Sequence, residues 1–409
     1  MKKSVAVAGN SGPIFRSDCE IILEIRNEGG IVIDLTSRVK AMYGESIEVL
    51  CLDILSLFNI ENALLKINDS GALPFVISAR LEAAVKQLTK TGKEYLPDMI
   101  PENTYTSTRD KFRLSRLYLP GNTPSLMINA GLHSADGIIL DLEDSVAPEK
   151  KNESCFLVRN ALRQVNFYGA ERMVRINQGE RGLEDLHFVI PHNVNLILIP
   201  KCETAETVKA VEKKIREIRE QFEVKNEVFL MPVIESALGI ENATEIARSS
   251  QLVVGMAIGL EDYTSDLGVP RTTEGKESFY ARSRLVVAAR AAGIQAIDSV
   301  FSDVTDMEGL KETVLASKAM GFEGMGCIHP RQISVIRQGF APRADEIEKS
   351  RDIIRAFETA RSRGLGVVAI GSKMIDAPVV SRAQKTLALA ERLGFPTGNW
   401  RNEDHGQQC

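Results

Sequence analysis

The sequence predicts an α/β protein built on a TIM (β/α)8 barrel, with a small α+β domain ahead of it and a helical extension behind it. Three observations predict this. Eight short apolar runs, at 116–120, 137–142, 173–176, 196–200, 228–234, 252–258, 295–300 and 324–329, are separated by stretches of helical period, which is the rhythm of a closed parallel barrel. The runs end in turn or ionisable residues, and such a barrel does its chemistry at the carboxyl ends of its strands. A polar, aperiodic stretch at 89–110 with two prolines separates this rhythm from a different one before it.

In chain order, strands are expected at 5–8, 20–25, 30–35 and 63–67, with helices at 37–58 and 79–88. The long helix rests on Val39, Met42, Ile47, Leu50, Ile54 and Leu57, mostly three or four apart, with Thr36 or Ser37 as its N-cap. The resulting division is a domain at 1–88, an extended linker at 89–110, the barrel at 111–341 and the extension at 342–409. The charge run at 209–220 carries spaced apolar Val211, Ile215 and Ile218, then Phe222, and reads as the solvated face of a barrel helix.

Composition narrows the function. At 409 residues two domains are the default, and 44% hydrophobic with 26% charged residues is ordinary for a soluble enzyme. A net charge of −5, with no basic stripe interleaved with aromatics, argues against nucleic acid as the main partner. No run is long and apolar enough to span a membrane. The apolar stretch after Lys2 and Lys3 is cut by Gly9, Asn10, Arg16 and Asp18, too early for a signal peptide, so the cytoplasm is the expected compartment. Six scattered cysteines without CxxC, and five histidines without HxxxH, point to reduced buried thiols and give no zinc site. Cys327 and His329 fall near a strand end, which makes one of them a candidate to border the active face.

The chemistry concentrates at 228–268. Two of the expected strands end there in carboxylates, Glu235 in one and Glu261 or Asp262 in the other. Neighbouring parallel strands bring such ends side by side, and Mg²⁺ takes one or two protein carboxylates while leaving its other positions to water and substrate. The competing reading makes them helix-start acids favoured by the macrodipole. Other strand ends carry Asn122, Asp141 with Glu143 and Asp144, Arg175 with Asn177, Lys201, Asp298, and His329 with Gln332. That exceeds what capping alone requires.

Across 114–393 the chain resembles the citrate lyase β subunit within the HpcH/HpaI aldolase superfamily. The resemblance is carried by RLYLPGN from Arg116, DGIILDLEDSVAP ending at Pro148, VRIN from Val174, IESALGI from Ile234, GLEDYTSDLG from Gly259, IHPRQI from Ile328 and KMIDAP around Asp376. It implies a Mg²⁺-dependent carbon–carbon lyase that cleaves a citryl-type thioester to an acetyl thioester and oxaloacetate. Citramalyl-CoA and malyl-CoA are the alternative substrates. Glu235 and Asp262 match the metal ligands, Arg175 the arginine that grips the keto acid, and Asp141, Glu143 and Asp144 an acidic turn supporting metal-bound water. Asp376 matches an acid contributed to a neighbouring subunit, which implies a homotrimer or hexamer with a lid at 364–376. Without the family, Asp376 before Ala377-Pro378 reads as a helix N-cap. Arg116 and Asn122 are expected to face the thioester or the carboxylate.

Residues 1–88 resemble the acyl carrier protein, or γ subunit, of citrate lyase, through AVAG at 6–9 and the stretch from Met42 to Ala83. In that family a serine ahead of an Asp carries a phosphoribosyl-dephospho-CoA arm. Here Arg16 stands in the attachment position, so Ser17 is the first candidate and Ser11 the second. The alternative is an unmodified docking domain, with free CoA thioester as substrate. A different reading of the whole chain makes it chiefly a carrier and assembly subunit for a CoA-transferase α-like partner.

Overall fold

A computed structural model describes residues 4–398 of the protein, apart from 363, 365, 366, 371 and 372. The chain divides into two compact units, 1–333 and 334–409.

The first unit opens with β1 (Val5–Gly9), β2 (Cys19–Ile25), β3 (Ile31–Ser37), α1 (Lys40–Leu57), β4 (Ala63–Asp69) and α2 (Pro74–Leu88). The sheet order is β1-β2-β4-β3, antiparallel except for the β3–β4 pair. Alternate residues Cys19, Ile21 and Leu23 on β2, and Ala63, Leu65 and Ile67 on β4, are buried, so one face of the sheet forms the core. Helix α2 begins ahead of the expected position 79, because Pro74 serves as a preset first-turn residue and not as a breaker. Every residue from Phe75 to Val85 is buried.

The segment 89–110 is extended apart from short turns at Pro101–Asn103 and 109–110, and it is tied to the barrel elements. Asn103 is fully buried, its amide donating to the carbonyls of Leu162 and Val165 at 3.0 and 2.6 Å. The Tyr105 hydroxyl donates to the Ala170 carbonyl, and the Ile100 amide to that of Arg163. Periodicity is absent here because the segment follows the barrel wall and satisfies its backbone groups on other elements.

Eight parallel strands then close into a barrel with the neighbour order β10-β11-β12-β5-β6-β7-β8-β9. In chain order the elements are β5 (Ser115–Pro120), α3 (Pro124–Met127), β6 (Gly137–Asp141), α4 (Lys151–Gln164), β7 (Glu171–Arg175), α5 (Gly179–Val189) and β8 (Leu196–Ile199). They continue with α6 (Ala205–Gln221), β9 (Phe229–Ile234), α7 (Ala237–Glu241), α8 (Ala243–Arg248), β10 (Gly255–Ile258), α9 (Leu260–Asp266), α10 (Phe279–Ala292), β11 (Gln295–Asp298), α11 (Met307–Met320) and β12 (Gly324–Cys327). All eight expected strands are present, since strands buried on both faces read as continuous apolar runs. Ile139, Met173, Leu198, Met231, Val233 and Ile297 are among the side chains packing the interior. The amino-terminal end is closed by fully buried Arg113, bonded to Glu171 at 2.7 and 2.8 Å and to Gln295 at 2.8 Å.

Helix α12 (Arg331–Phe340) spans the division between the units. The second unit holds α13 (Ala344–Ser362), the antiparallel strands β13 (Val368–Ile370) and β14 (Lys373–Ile375), and α14 (Ala377–Arg392). Ile347, Ile354, Ile375, Val380 and Leu387 form its apolar core. The expected loop at 364–376 is in part a hairpin, with the residues between its strands outside the described set.

Candidate active site

The carboxyl ends of β6, β7, β8, β9 and β10 gather one cluster of charge. Arg175, the last residue of β7, donates from Nε and Nη2 to the two oxygens of Asp141, both at 2.6 Å. Its Nη1 lies 3.1 Å from Glu143 and 3.9 Å from Asp144. One edge of the guanidinium is therefore occupied by Asp141, and Nη1 turns toward the acidic turn of Glu143 and Asp144. Burial opposes the charge on Asp141, but the Arg175 bonds outweigh it and hold that carboxyl below its ordinary value. The Arg175 carbon Cζ lies 5.4 Å from the centre of the Tyr118 ring, which faces it from the first barrel strand.

Glu143 is buried, accepts from Gln178 at 2.8 Å, and has its carboxyl raised chiefly by burial. Lys151 supports this turn from below, its ammonium donating to the carbonyls of Leu142 and Glu143 at 3.1 and 2.9 Å.

Glu235 follows β9. Its Oε1 accepts the amide of Lys201 at 2.7 Å. At that contact Lys201 takes φ 43, a left-handed backbone that side chains with a Cβ rarely adopt. Its Oε2 faces Gly259, where an added Cβ would come within 2.3 Å of it, so only glycine leaves room. Burial pushes Glu235 up to about 7, with the charges of Asp262 and Glu143 adding to the rise. Asp262 lies in the first turn of α9 and is half-buried, so the metal-ligand and helix-start readings describe the same residue. Glu261, the other candidate, pairs with Arg271 at 2.7 Å instead. The Lys201 ammonium sits 3.6, 3.8 and 3.8 Å from Glu143, Asp144 and Asp262.

Glu235 and Asp262 fit a hard divalent cation. Among the described residues buried Glu235 forms no ion pair, and its Oε2 lies in a space only glycine leaves open. Among the described residues no group of three His, Cys, Asp or Glu side chains forms a metal cage. A cation here would take two carboxylates and complete its shell elsewhere, as Mg²⁺ does.

The remaining expected residues separate. Arg116 is corrected: it is 1% exposed, lies inside the barrel two residues below Tyr118 on the same strand, and points Nη1 at the Met231 sulfur, 2.8 Å away. Asn122 follows β5, with its carbonyl accepting from Arg80 at 3.1 Å and its side-chain oxygen from the Thr123 hydroxyl at 3.1 Å. Asp298 is taken by Arg282 and Ser317, each at 2.5 Å, and is structural. Asp376 caps α14, accepting the Val379 amide at 3.2 Å. Ser17 is half-buried with φ 55 and donates its amide to the Ser70 carbonyl; Ser11 is also half-buried. Cys327 is buried and has its thiol pushed up to about 12 by burial, so it is inert at the mouth. Sequence reasoning assigned no role to Tyr118, Gln178, Lys151 or Gly259, and none to Lys201 beyond its place at a strand end. For Gly259 a signal existed, a glycine between strand and acids.

The fold and the cluster define an α/β-barrel enzyme with a carboxylate-rich, arginine-braced mouth. Residues 114–330 match the family model HpcH/HpaI aldolase/citrate lyase. The citrate lyase subunit beta of Leuconostoc mesenteroides subsp. cremoris is 37% identical over 288 residues, covering 69% of this chain and 94% of that protein. The human mitochondrial citramalyl-CoA lyase is 32% identical over 338 residues, covering 79% and 99%. The crystal structure of the Mycobacterium tuberculosis protein CitE in complex with magnesium, acetoacetate and coenzyme A aligns with TM-score 0.58 at 29% identity, covering 69% of this chain and 100% of that one. The chain belongs to the HpcH/HpaI aldolase/citrate lyase family and is a carbon–carbon lyase. Residues 4–88 match a second, acyl-carrier family model, described as malonate decarboxylase delta subunit.

Proposed function

We propose that the barrel cleaves a 3-hydroxy acyl thioester carrying a carboxylate next to its hydroxyl carbon, of the citryl or citramalyl type, to a keto acid and an acetyl thioester. The observation that carries this reading is the juxtaposition of Arg175, braced by Asp141, with the carboxylates of Glu235 and Asp262 at one end of the barrel. It is supported by the relatives named citrate lyase subunit beta and citramalyl-CoA lyase, and by the neighbour in complex with magnesium and coenzyme A.

In this scheme Glu235 and Asp262 hold Mg²⁺, which when bound supplies a Lewis acid for the keto acid's carbonyl and carboxylate oxygens. Arg175 keeps a permanent positive charge where negative charge gathers on the substrate, and Asp141 fixes its plane. Glu143 and Asp144 accept hydrogen bonds from water at the mouth. The hydroxyl proton leaves to a base, the bond between hydroxyl carbon and thioester α-carbon breaks, and its electron pair becomes the acetyl enolate, which takes a proton. Asp376, offered by a neighbouring protomer, is the acid assigned to that last transfer.

The test is incubation of purified protein with citryl-CoA, citramalyl-CoA or malyl-CoA and Mg²⁺. Oxaloacetate or pyruvate release is followed by coupling to malate or lactate dehydrogenase, and glyoxylate by a carbonyl assay. No keto acid from any of them counts against the reading. Glu235→Gln and Asp262→Asn are expected to keep the fold and to lose both calorimetric Mg²⁺ binding and turnover; near-normal turnover in both would rule the metal site out. The acyl-carrier match supports a second reading, in which Ser17 or Ser11 bears a phosphoribosyl-dephospho-CoA arm and a CoA-transferase α-like subunit supplies the cargo. An adduct of several hundred daltons by intact mass separates it from the free-thioester reading.

A further inference from the structure

The boundary between the carrier-like domain and the barrel is crossed by buried charge. Arg80, on α2, is fully buried and donates from Nε and Nη2 to the two oxygens of Asp18 at 3.0 and 2.9 Å. Its Nη1 reaches Glu153 on α4 at 3.1 Å, and Nη2 also reaches the Asn122 carbonyl at 3.1 Å. Glu153 accepts the Gly9 amide at 3.2 Å, and Lys150 donates to the Gly9 carbonyl at 2.8 Å. Farther along the same helices, fully buried Arg159 pairs with fully buried Glu82 at 2.5 Å, and the Asn160 amide donates to the Phe75 carbonyl and the Ser78 hydroxyl, both at 3.1 Å. The Arg80–Asp18 pair lies within the domain, but undocking would break Arg80 from Glu153 and separate buried Arg159 from buried Glu82, which opposes excursions of the domain.

The ties fall on the loops that carry the candidate site. Asn122 follows β5, and Lys150 and Glu153 flank Lys151, which holds the Glu143 carbonyl at 2.9 Å. Gly9 and Arg80 thus meet the start of α4 at Lys150 and Glu153, and the same helix start meets Glu143 through Lys151 and Arg175 through Glu143. The loop between Gly9 and Asp18 is fixed at both ends by these groups. It carries Ser11, Ser17, exposed Arg16 and Ile14, which is 82% exposed, at the end of the barrel where Glu143 lies.

We propose that residues 4–88 are a fixed wall of this barrel's mouth and not a travelling carrier, and that Arg80 is the positioning residue joining that wall to the acidic site. A thioester, free or tethered to the loop, then reaches the mouth of the same chain by motion of its own arm alone. The proposal rests on the Glu143–Arg175 cluster being the active site.

The experiment uses the full chain with a specific protease site inserted at Gly92, where an added Cβ meets nothing within 4 Å. After cutting, the two pieces are expected to co-elute on gel filtration at micromolar concentration, with turnover of the free CoA thioester unchanged. Separation of the pieces, or loss of turnover while they co-elute, overturns the proposal. In uncut protein, Lys150→Ala and Arg80→Lys are expected to raise KM and weaken calorimetric Mg²⁺ binding by about three- to tenfold with the fold retained. Arg80→Lys keeps the charge and should lose less than Arg80→Met. Unchanged KM and Mg²⁺ affinity in both Lys150→Ala and Arg80→Lys overturns the positioning role. Wild-type turnover in Arg175→Lys and Glu235→Gln would instead sink the site reading, whatever the cut pieces do.

Discussion

With Glu235 pushed up to about 7, chiefly by burial, a proton and a divalent cation compete for the same carboxylate near neutral pH. Calorimetric Mg²⁺ affinity should therefore fall by up to about tenfold per pH unit below about pH 7 and level off above it; a flat profile between about pH 6 and pH 8 would remove Glu235 from the ligand set. The stability of the metal-free chain runs the other way. Because the folded value is raised above the unfolded one, the folded state binds the extra proton, and this contribution is full below the unfolded value and lost as pH rises to about 7. A melting temperature that drops between acidic and neutral pH without Mg²⁺, and recovers when Mg²⁺ is added, is the expected signature. At Arg175, replacement by Lys keeps a charge but loses the two-point hold on Asp141. Turnover should fall on the order of a hundredfold, roughly 3 kcal/mol of lost preorganisation, with Mg²⁺ affinity little changed.

Among the elements, α14 gives the sharpest separation of structural from chemical roles. Its N-cap Asp376 accepts the Val379 amide, and any small hydrogen-bonding side chain satisfies that need. Asp376→Ser should keep the stability of the second unit, whereas Asp376→Ala should cost about 1 kcal/mol. If the carboxylate also serves a neighbouring site, both variants lose turnover alike; turnover that follows only the melting temperature reduces Asp376 to a cap. The elements also differ in how legible they were. The eight barrel strands stood out because double-sided burial makes each one a run of apolar residues. Helix α2 starts five residues ahead of the expected 79, and the burial of Phe75 to Val85 owes much to α4, a neighbour distant in sequence.

At the scale of the whole molecule, the residues beyond the barrel form a unit with their own core, more chain than barrel closure requires. A trimer or hexamer by light scattering at micromolar concentration is expected, and a monomer would remove the shared-site role of Asp376. The sequence by itself determined the barrel, the order of its strands' catalytic ends and the residue types at its mouth, because burial period and strand polarity are local properties that each stretch carries within itself. It also separated the α+β domain from the barrel through a change of rhythm. Only the tertiary structure decided which ionisable residues meet. Arg80 finds Asp18 and Glu153 across 62 and 73 residues, Arg113 finds Gln295 across 182, and no local pattern records such pairs. The same holds for Arg116, sunk below the mouth, for Asp298, spent on Arg282, and for the segment 89–110, held along the barrel wall. Charges pair according to distance in space under a low dielectric, and chain closure sets that distance only after the elements have packed.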